Sequence, residues 1–138
     1  MKNNKNNKLL IKAEQKNIRS SPQKLRLVVK AIKNLPPLQA LDYLKFLNKK
    51  ACQPLAKTIK QAINNAVYNQ KINKDDLRFD KIEVGAGPLL KRWRPVSRGR
   101  AHPILKRTSH IKISLKIKEQ KTKIKDKNAK LKKEGLED

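Results

Sequence analysis

The chain has 138 residues, with 36 Lys or Arg against 11 Asp or Glu, which gives a formal net charge of +25. Its length allows one domain with a modest core. Because so much like charge needs a polyanion to neutralise it, nucleic acid is the first partner to consider and an anionic membrane the second. Against the membrane, no apolar run approaches the roughly 18 residues that span a bilayer. We expect no signal peptide, and the lone Cys52 excludes an internal disulfide.

The N-terminal part of the chain changes character at Leu9. Residues 1–8 are almost entirely Asn and Lys, which predicts a disordered basic segment. A first strand is predicted from residue 9 to about 18, because Ile11 and Ala13 alternate with polar residues. Gln15 falls on the same face and weakens this pattern.

Three helices are predicted to follow. The first begins at Ser20, with Gln23 at capping-box spacing and Pro22 in the first turn, and it ends before Asn34. Its apolar face has the helical spacing i, i+3, i+4, i+7 and consists of Leu25, Val28, Val29 and Ile32.

The second and third helices are joined by a short link. Apolar residues between 38 and 47 predict the second, which ends near residues 48–50: Leu38, Leu41, Tyr43, Leu44 and Leu47. The third is predicted over about 51–69, with Pro54 in its first turn. Its apolar face contains several small residues that allow close packing on a sheet: Leu55, Ile59, Ala62, Ile63 and Ala66.

Two further strands are predicted after a turn at residues 73–76. The second strand opens at Leu77, and a slip in its alternation predicts a bulge between Phe79 and Ile82. The third alternates strictly between apolar residues and Lys or Ser, and its apolar positions are Ile111, Ile113, Leu115 and Ile117.

These two strands predict a long hairpin over about residues 84–113. With Glu83 opposite Ser114, the turn falls at 97–99, and each arm has about 14 residues, or on the order of 45 Å. Such a ribbon is marginal in water and is expected to order on a partner. Pro103 removes a ladder donor, which predicts a local bend or an unpaired register there.

The predicted fold class is α+β, with three helices packed on a small three-stranded antiparallel sheet and a long protruding β-hairpin. The order is β–α–α–α–β–β. Residues 9–118 are predicted to form one domain, followed by a flexible charged tail at 119–138.

Basic residues concentrate in the hairpin. Five of the eight Arg lie between positions 92 and 107, and guanidinium suits phosphate because it donates two parallel hydrogen bonds. The candidates for phosphate contact are Lys91, Arg92, Arg94, Arg98, Arg100, Lys106 and Arg107. Trp93 could stack on an unpaired base or pack against the opposite arm.

Three glycines punctuate the hairpin, at Gly85, Gly87 and Gly99. They could permit close backbone approach to a ligand, or they could serve turn geometry alone.

Catalytic chemistry has little basis in this sequence. His102 and His110 have no carboxylate near them in sequence, and we assign both to polar contact with RNA or water. Cys52 and two His do not form a recognisable zinc motif. The glycines after Val84 do not form a phosphate loop, because Pro88 stands where a helix would begin. We therefore expect no enzyme, no metal site and no cofactor.

Several motifs together resemble one family. GPLLKRWRP, SRGRA and ILKRTSHIKI, in this order and spacing, are similar to the hairpin of the universal large-subunit ribosomal protein number twenty-two. Residues 20–33 and the N-K-K-A at 48–51 resemble the family's helices. The resemblance extends over about residues 13–118.

The resemblance implies a protein of the large ribosomal subunit, seated by the mouth of the nascent-peptide tunnel. It implies that the hairpin threads through ribosomal RNA, that the family acts early in subunit assembly, and that changes at the tip affect macrolide sensitivity. The implied partners are large-subunit rRNA and neighbouring ribosomal proteins, with no membrane and no homo-oligomer. The implied location is the ribosome, in bacterial cytoplasm or in organellar stroma or matrix; the Asn-, Lys- and Ile-rich composition indicates an AT-rich genome.

The resemblance also suggests site residues. Those implied to bind rRNA are Lys24, Arg26, Lys91, Arg92, Trp93, Arg94, Arg98, Arg100, Lys106, Arg107 and His110. Those implied to line the tunnel at the tip are Lys91, Arg92, Trp93, Arg94, Pro95, Val96, Ser97 and Arg98.

Three features depart from the family pattern. Pro95-Val96-Ser97 stands where Pro-Arg-Ala is common, so one phosphate contact at the tip is missing. Pro103 enters the descending arm. The tail after Lys118 extends past the usual end of the family.

Two other function classes compete with this interpretation. DNA-bending histone-like proteins also use basic β-arms with an intercalating Pro, and the residues from Ser97 to Pro103 are similar to such arms. Their bodies, however, are obligate dimers with a different helix order. A cationic membrane-surface protein would need a terminal helix with one strongly apolar and one basic face, and none is present in the sequence.

Overall fold

The structure, a computed structural model, describes residues 10–118. Its elements, in chain order, are β1 (Ile11–Ile18), α1 (Pro22–Ile32), α2 (Pro37–Phe46), α3 (Cys52–Gln70), a short 3₁₀ helix (Lys74–Asp76), β2 (Leu77–Pro95) and β3 (Ala101–Ile117). The strands form one antiparallel sheet in the order β1-β3-β2, which confirms the predicted α+β class. The predictions for residues 1–9 and 119–138 lie outside the described residues. No helix within residues 10–118 combines the length and the apolar character that crossing a membrane requires.

β3 is the central strand, and its alternation places one set of side chains in the core. Ile111, Ile113 and Leu115 are fully buried, as the pattern predicts, whereas Ile117 at the strand end is 38% exposed. Ile113 is paired on both sides, with Ala13 of β1 and Ile82 of β2. Ladder bonds on both edges and burial on one face make this strand the centre of the domain.

A polar residue on the buried side of β1 has a partner on a helix. The Thr58 hydroxyl of α3 lies within hydrogen-bonding distance of two acceptors, the Pro54 carbonyl at 2.8 Å and Oε1 of Gln15 at 3.0 Å. Thr58 is itself buried, and among the described residues no buried side-chain polar atom lacks a hydrogen-bond partner. The contact explains how a strand with a weak alternating pattern still packs against α3.

The helices cover the sheet largely as predicted. All five residues of the α3 face are buried, whereas on α1 Val29 is only partly buried beside Leu25, Val28 and Ile32. On α2 the buried positions include Ala40 and Leu44, and Tyr43 is 42% exposed. The predicted second helix is confirmed, and its buried stripe runs through Ala40 and Leu44.

The predicted capping box at the start of α1 is wrong. Ser21, not Ser20, is the N-cap, and no side-chain cap hydrogen bond forms there. The carbonyl of Ser20 instead accepts a 2.5 Å hydrogen bond from the hydroxyl of Ser109 on β3. Ser20 thus ties the loop before α1 to the sheet rather than capping the helix.

Two bulges set the hairpin register. The first lies between Phe79 and Lys81, as predicted, and the second, unpredicted, lies between Ala86 and Leu89. Each inserts an extra residue on β2, so the register inferred from alternation does not hold. Glu83 pairs with Lys112 and not with Ser114.

The two-stranded part of the hairpin is shorter than predicted. β1 pairs with β3 as far as Ser109. Part of the hairpin predicted over residues 84–113 is therefore supported by β1 and belongs to the three-stranded sheet. Beyond that point β2 contributes residues 88–95, about 26 Å at roughly 3.3 Å per residue.

The register runs through Pro103 without a shift, so the unpaired register expected at this position is wrong. The Val96 amide donates to the Arg100 carbonyl, and antiparallel ladder bonds alternate from there. This alternation puts the nitrogen of Pro103 on the outer edge of β3, where no ladder bond is lost.

Candidate nucleic-acid interface

The tip of the hairpin is a tight turn with two residues in the left-handed region. Val96 donates its amide to the carbonyl of Arg100 at 2.8 Å, and Arg98 and Gly99 have φ of 59° and 67°. This confirms the predicted turn, in which Gly99 adopts a positive φ at no steric cost and so serves turn geometry. Every residue from 91 to 107 is exposed.

The two faces of the ribbon differ in chemistry. Residues directly opposite in an antiparallel pair project to the same face, and neighbours along a strand project to opposite faces. Arg94 pairs with His102 and Arg92 with Ile104, so both Arg lie on one face. Trp93 lies on the other, opposite Pro103, and is 68% exposed. Packing against the opposite arm therefore leaves most of the indole open to a partner.

Hydroxyl groups fix the root of the hairpin, where the second bulge lies. The Thr108 hydroxyl donates to the Pro88 carbonyl at 2.6 Å, across from Gly87. A Cβ on Gly87 would lie 2.5 Å from that hydroxyl oxygen and 3.2 Å from the Ser109 nitrogen. Of the three glycines, Gly87 is therefore the one that permits a close approach, and it does so within the protein.

A basic groove of about 980 Å³ lies beside this root, between the hairpin and the start of α1. We call it the root groove. Its cationic side chains come from three separate parts of the chain: Arg19, Lys24, Lys49, Lys50, Arg92, Lys106 and Arg107. Three leucines also line it, and two are substantially exposed, Leu27 by 61% and Leu105 by 47%; the third is Leu90.

Acidic side chains lie elsewhere on the described surface. No Asp or Glu between residues 10 and 118 lines the root groove. The ion pairs found within residues 10–118 involve five lysines outside the groove: Lys16, Lys45, Lys81, Lys112 and Lys116. A hydrogen bond between the exposed Lys81 and Glu83 raises the pKa of the lysine and lowers that of the carboxyl. The paired charges on the sheet and on α2 neutralise each other, whereas the groove and the ribbon concentrate positive charge.

The predicted site residues fall into three places. The root groove contains Lys24, Arg92, Lys106 and Arg107. The ribbon carries Lys91, Trp93, Arg94, Arg98 and Arg100, with Pro95, Val96 and Ser97 at its end.

Arg26 and His110 lie apart from both and already have protein partners. Arg26 donates to the Val84 carbonyl at 3.1 Å. Nδ1 of His110 accepts the Asn17 amide at 3.0 Å, in a crevice shared with two carboxylates, Glu14 and Glu83.

Sequence reasoning missed Arg19, Lys49 and Lys50 as members of the interface. They lie in the loops before α1 and α3, outside any periodic pattern. The available signal was their position beside two helix starts, which the fold brings to the hairpin root.

Comparison with known proteins gives one consistent result. A family described as "Ribosomal protein L22p/L17e" matches residues 13–116. "Large ribosomal subunit protein uL22" of Blochmanniella pennsylvanica is 48% identical over 96 residues, covering 70% of this chain and 88% of that protein. The protein of the same name from Mycoplasma mycoides is 47% identical over 102 residues, covering 74% and 92%. "Large ribosomal subunit protein uL22c" of Chaetosphaeridium globosum is 42% identical over 118 residues, covering 86% and 99%.

The matched region contains most of β1, all three helices, β2 and all but the last residue of β3, so the likeness extends over the body and the basic ribbon together. This is the same family that the hairpin motifs resemble. The chain belongs to the L22p/L17e family of ribosomal proteins.

Proposed function

We propose that this chain is a structural constituent of the large ribosomal subunit that binds large-subunit rRNA, aids subunit assembly and lines the nascent-peptide tunnel with its hairpin. The observation that carries the proposal is the exposed two-stranded ribbon, rich in Arg and lined by no acidic side chain in its described length. A ribbon with so little apolar cover is stabilised by a partner that supplies both counter-charge and walls. Folded RNA supplies both.

The division of the ribbon into two faces suggests how it would bind. Arg92 and Arg94 share one face and would bind phosphates. Such contacts position the protein on RNA without reading its sequence. Trp93 on the opposite face would stack on an unpaired base or fill a crevice in folded RNA. Residues 91–98 form the end of the ribbon and are the segment proposed to border the tunnel.

The proposal extends to partners and location. Large-subunit rRNA is the main partner, with neighbouring ribosomal proteins near the tunnel. The place of action is the ribosome, in a bacterial cytoplasm or an organelle. No part of the proposal requires a homo-oligomer, a cofactor or catalysis.

The experiment that tests the proposal asks which nucleic acid is recovered with the tagged full chain at moderate salt. We expect large-subunit rRNA, within particles, and a monomeric protein when the RNA is removed. Preferential binding of bent duplex DNA by a dimer would overturn the proposal in favour of a DNA-bending protein. Quantitative sequencing of the recovered nucleic acid and light scattering of the free protein provide the two measurements.

Replacing Arg92, Arg94 and Arg98 together by Ala is expected to flatten the salt dependence of rRNA binding. Each lost phosphate contact lowers the slope of log K against log salt concentration by about 0.7–0.9, so the combined decrease is about two to three units. A variant with three exposed lysines of the body replaced, Lys30, Lys33 and Lys60, removes the same charge and is the matched control. An unchanged slope in the Arg variant would mean that these side chains face the tunnel and not phosphate.

A further inference from the structure

The root groove joins three segments that are far apart in sequence. Arg19 precedes α1, Lys49 and Lys50 precede α3, and Arg92 and Arg107 come from the two hairpin arms. The groove therefore exists only in the folded domain. It lies at the opposite end of the ribbon from the turn at Arg98 and Gly99, so a ligand there makes a contact separate from the tip.

The charge of the groove identifies an anionic ligand. Seven cationic residues line the groove, from both faces of the ribbon, from α1 and from two loops of the body, and no acidic residue of the described part of the chain lines it with them. Like charges brought together on a low-dielectric surface repel, and a bound polyanion relieves that repulsion. The N-terminal end of α1, capped at Ser21, adds the positive end of its dipole on the same side.

The leucines of the groove indicate which form of polyanion fits. Leu27 and Leu105 remain 61% and 47% exposed among the cations. An RNA duplex would offer them mainly phosphates and the polar edge of its minor groove. An unpaired nucleotide offers an apolar base face or ribose beside each phosphate, and it covers basic and apolar side chains together.

Resting on the proposed function, we infer that the root groove binds a single-stranded segment of RNA, with phosphates on its basic rim and a base or ribose against its leucines. This contact is separate from the turn at Arg98 and Gly99, although Arg92 belongs both to the groove and to the segment proposed to border the tunnel. Arg19, Lys49 and Lys50 then become RNA-binding residues, although they lie outside the hairpin. Leu27 becomes the side chain that favours single strands over duplexes.

The test compares two full-length triple variants. Arg19, Lys49 and Lys50 are replaced by Ala in the groove variant, and the matched control is the triple Ala variant at Lys30, Lys33 and Lys60, three exposed positions outside the groove. The probe is a labelled oligouridylate of about ten nucleotides, within the range of site sizes known for single-strand binding. Fluorescence anisotropy over a salt series gives the slope, and circular dichroism with urea unfolding verifies that both variants fold as the unmodified chain does.

For the groove variant, the slope is expected to fall by about two units, at roughly 0.7 per lost contact on a single strand. At about 0.1 M salt this amounts to about a hundredfold loss of affinity relative to binding extrapolated to 1 M. The control variant is expected to lose clearly less than one unit. Equal losses in the two variants, with rRNA still recovered by the unmodified chain, would overturn the groove inference and leave the proposed function intact.

A second variant tests the preference for single strands. Leu27→Ser removes no charge and alters an exposed side chain, so we expect the affinity for oligouridylate to fall about fivefold while the salt slope stays constant. Binding to an RNA duplex of the same length is expected to be weaker and unaffected. Equal binding of duplex and single strand, or no effect of Leu27→Ser, would overturn the single-strand inference. Displacement of oligouridylate by poly-glutamate at equal charge concentration would do the same, in favour of an acidic protein segment.

If the unmodified chain recovers no rRNA at all, the proposed function fails along with the inference, whereas any of the outcomes above with rRNA still recovered affects the groove alone.

Discussion

Ile113→Ala is expected to lower the free energy of unfolding by about 2–5 kcal/mol, the cost of deleting a well-packed core side chain together with the cavity that it leaves. Ile113 is fully buried in the central strand. Its neighbours across the ladder are Ala13 and Ile82, one small and one partly buried, and the backbone on both sides is held by ladder bonds. Because the surrounding strands cannot move inward independently, little of the cavity is expected to close.

Ile117→Ala is the matched control, because it truncates the same residue type in the same strand. Ile117 ends β3 and is already 38% exposed, so the expected loss is less than about 1 kcal/mol. Urea unfolding of the full chain, followed by circular dichroism at moderate salt, gives both values. Equal midpoints for the two variants would show that β3 is not the centre of the core.

The periodic parts of this fold could be predicted because burial alone determines them. The face of α3 and the alternation of Ile111, Ile113 and Leu115 follow from which side chains leave water, and the structure buries all of them. The turn near Gly99 could be predicted as well, because glycine is favoured at turn positions with positive φ, and its φ is 67°. Val28 and Val29 are adjacent and both fit the helical spacing of the α1 face, so the sequence did not tell that Val28 is buried and Val29 only partly buried.

Features that depend on partners distant in sequence could not be predicted. Ser20 has the right spacing for a cap, but its carbonyl is bound by Ser109, a contact across 89 positions. The bulge between Ala86 and Leu89 has no alternation of its own to reveal it.

The root groove escaped prediction for the same reason. Its cations are unremarkable one by one in so basic a chain, and only the packing of α1 against the hairpin root collects them. The family resemblance included the N-K-K-A at residues 48–51 but implied no RNA contact for Lys49 or Lys50.

Gly87→Ala is expected to lower the free energy of unfolding and to weaken RNA binding, because the added methyl group changes the direction of the ribbon. The added Cβ would meet the Thr108 hydroxyl oxygen at 2.5 Å and two backbone atoms at 3.2 Å. Thr108 is buried, and its hydroxyl moves away only by giving up its hydrogen bond to Pro88. Overpacking of this kind costs about 1–3 kcal/mol, relieved in part by a shift of the β2 backbone at the bulge.

That shift would occur where the two-stranded ribbon leaves the three-stranded sheet, so a small rotation there displaces the tip about 26 Å away by a larger distance. We expect weaker rRNA binding with a flatter salt slope, although Gly87→Ala removes no charge, because misdirected Arg side chains no longer reach their phosphates. Gly85→Ala is the control: two residues away, its Cβ would meet no atom within 4 Å. If the two variants share the same unfolding midpoint and the same slope, the packing of Gly87 against Thr108 does not set the direction of the hairpin.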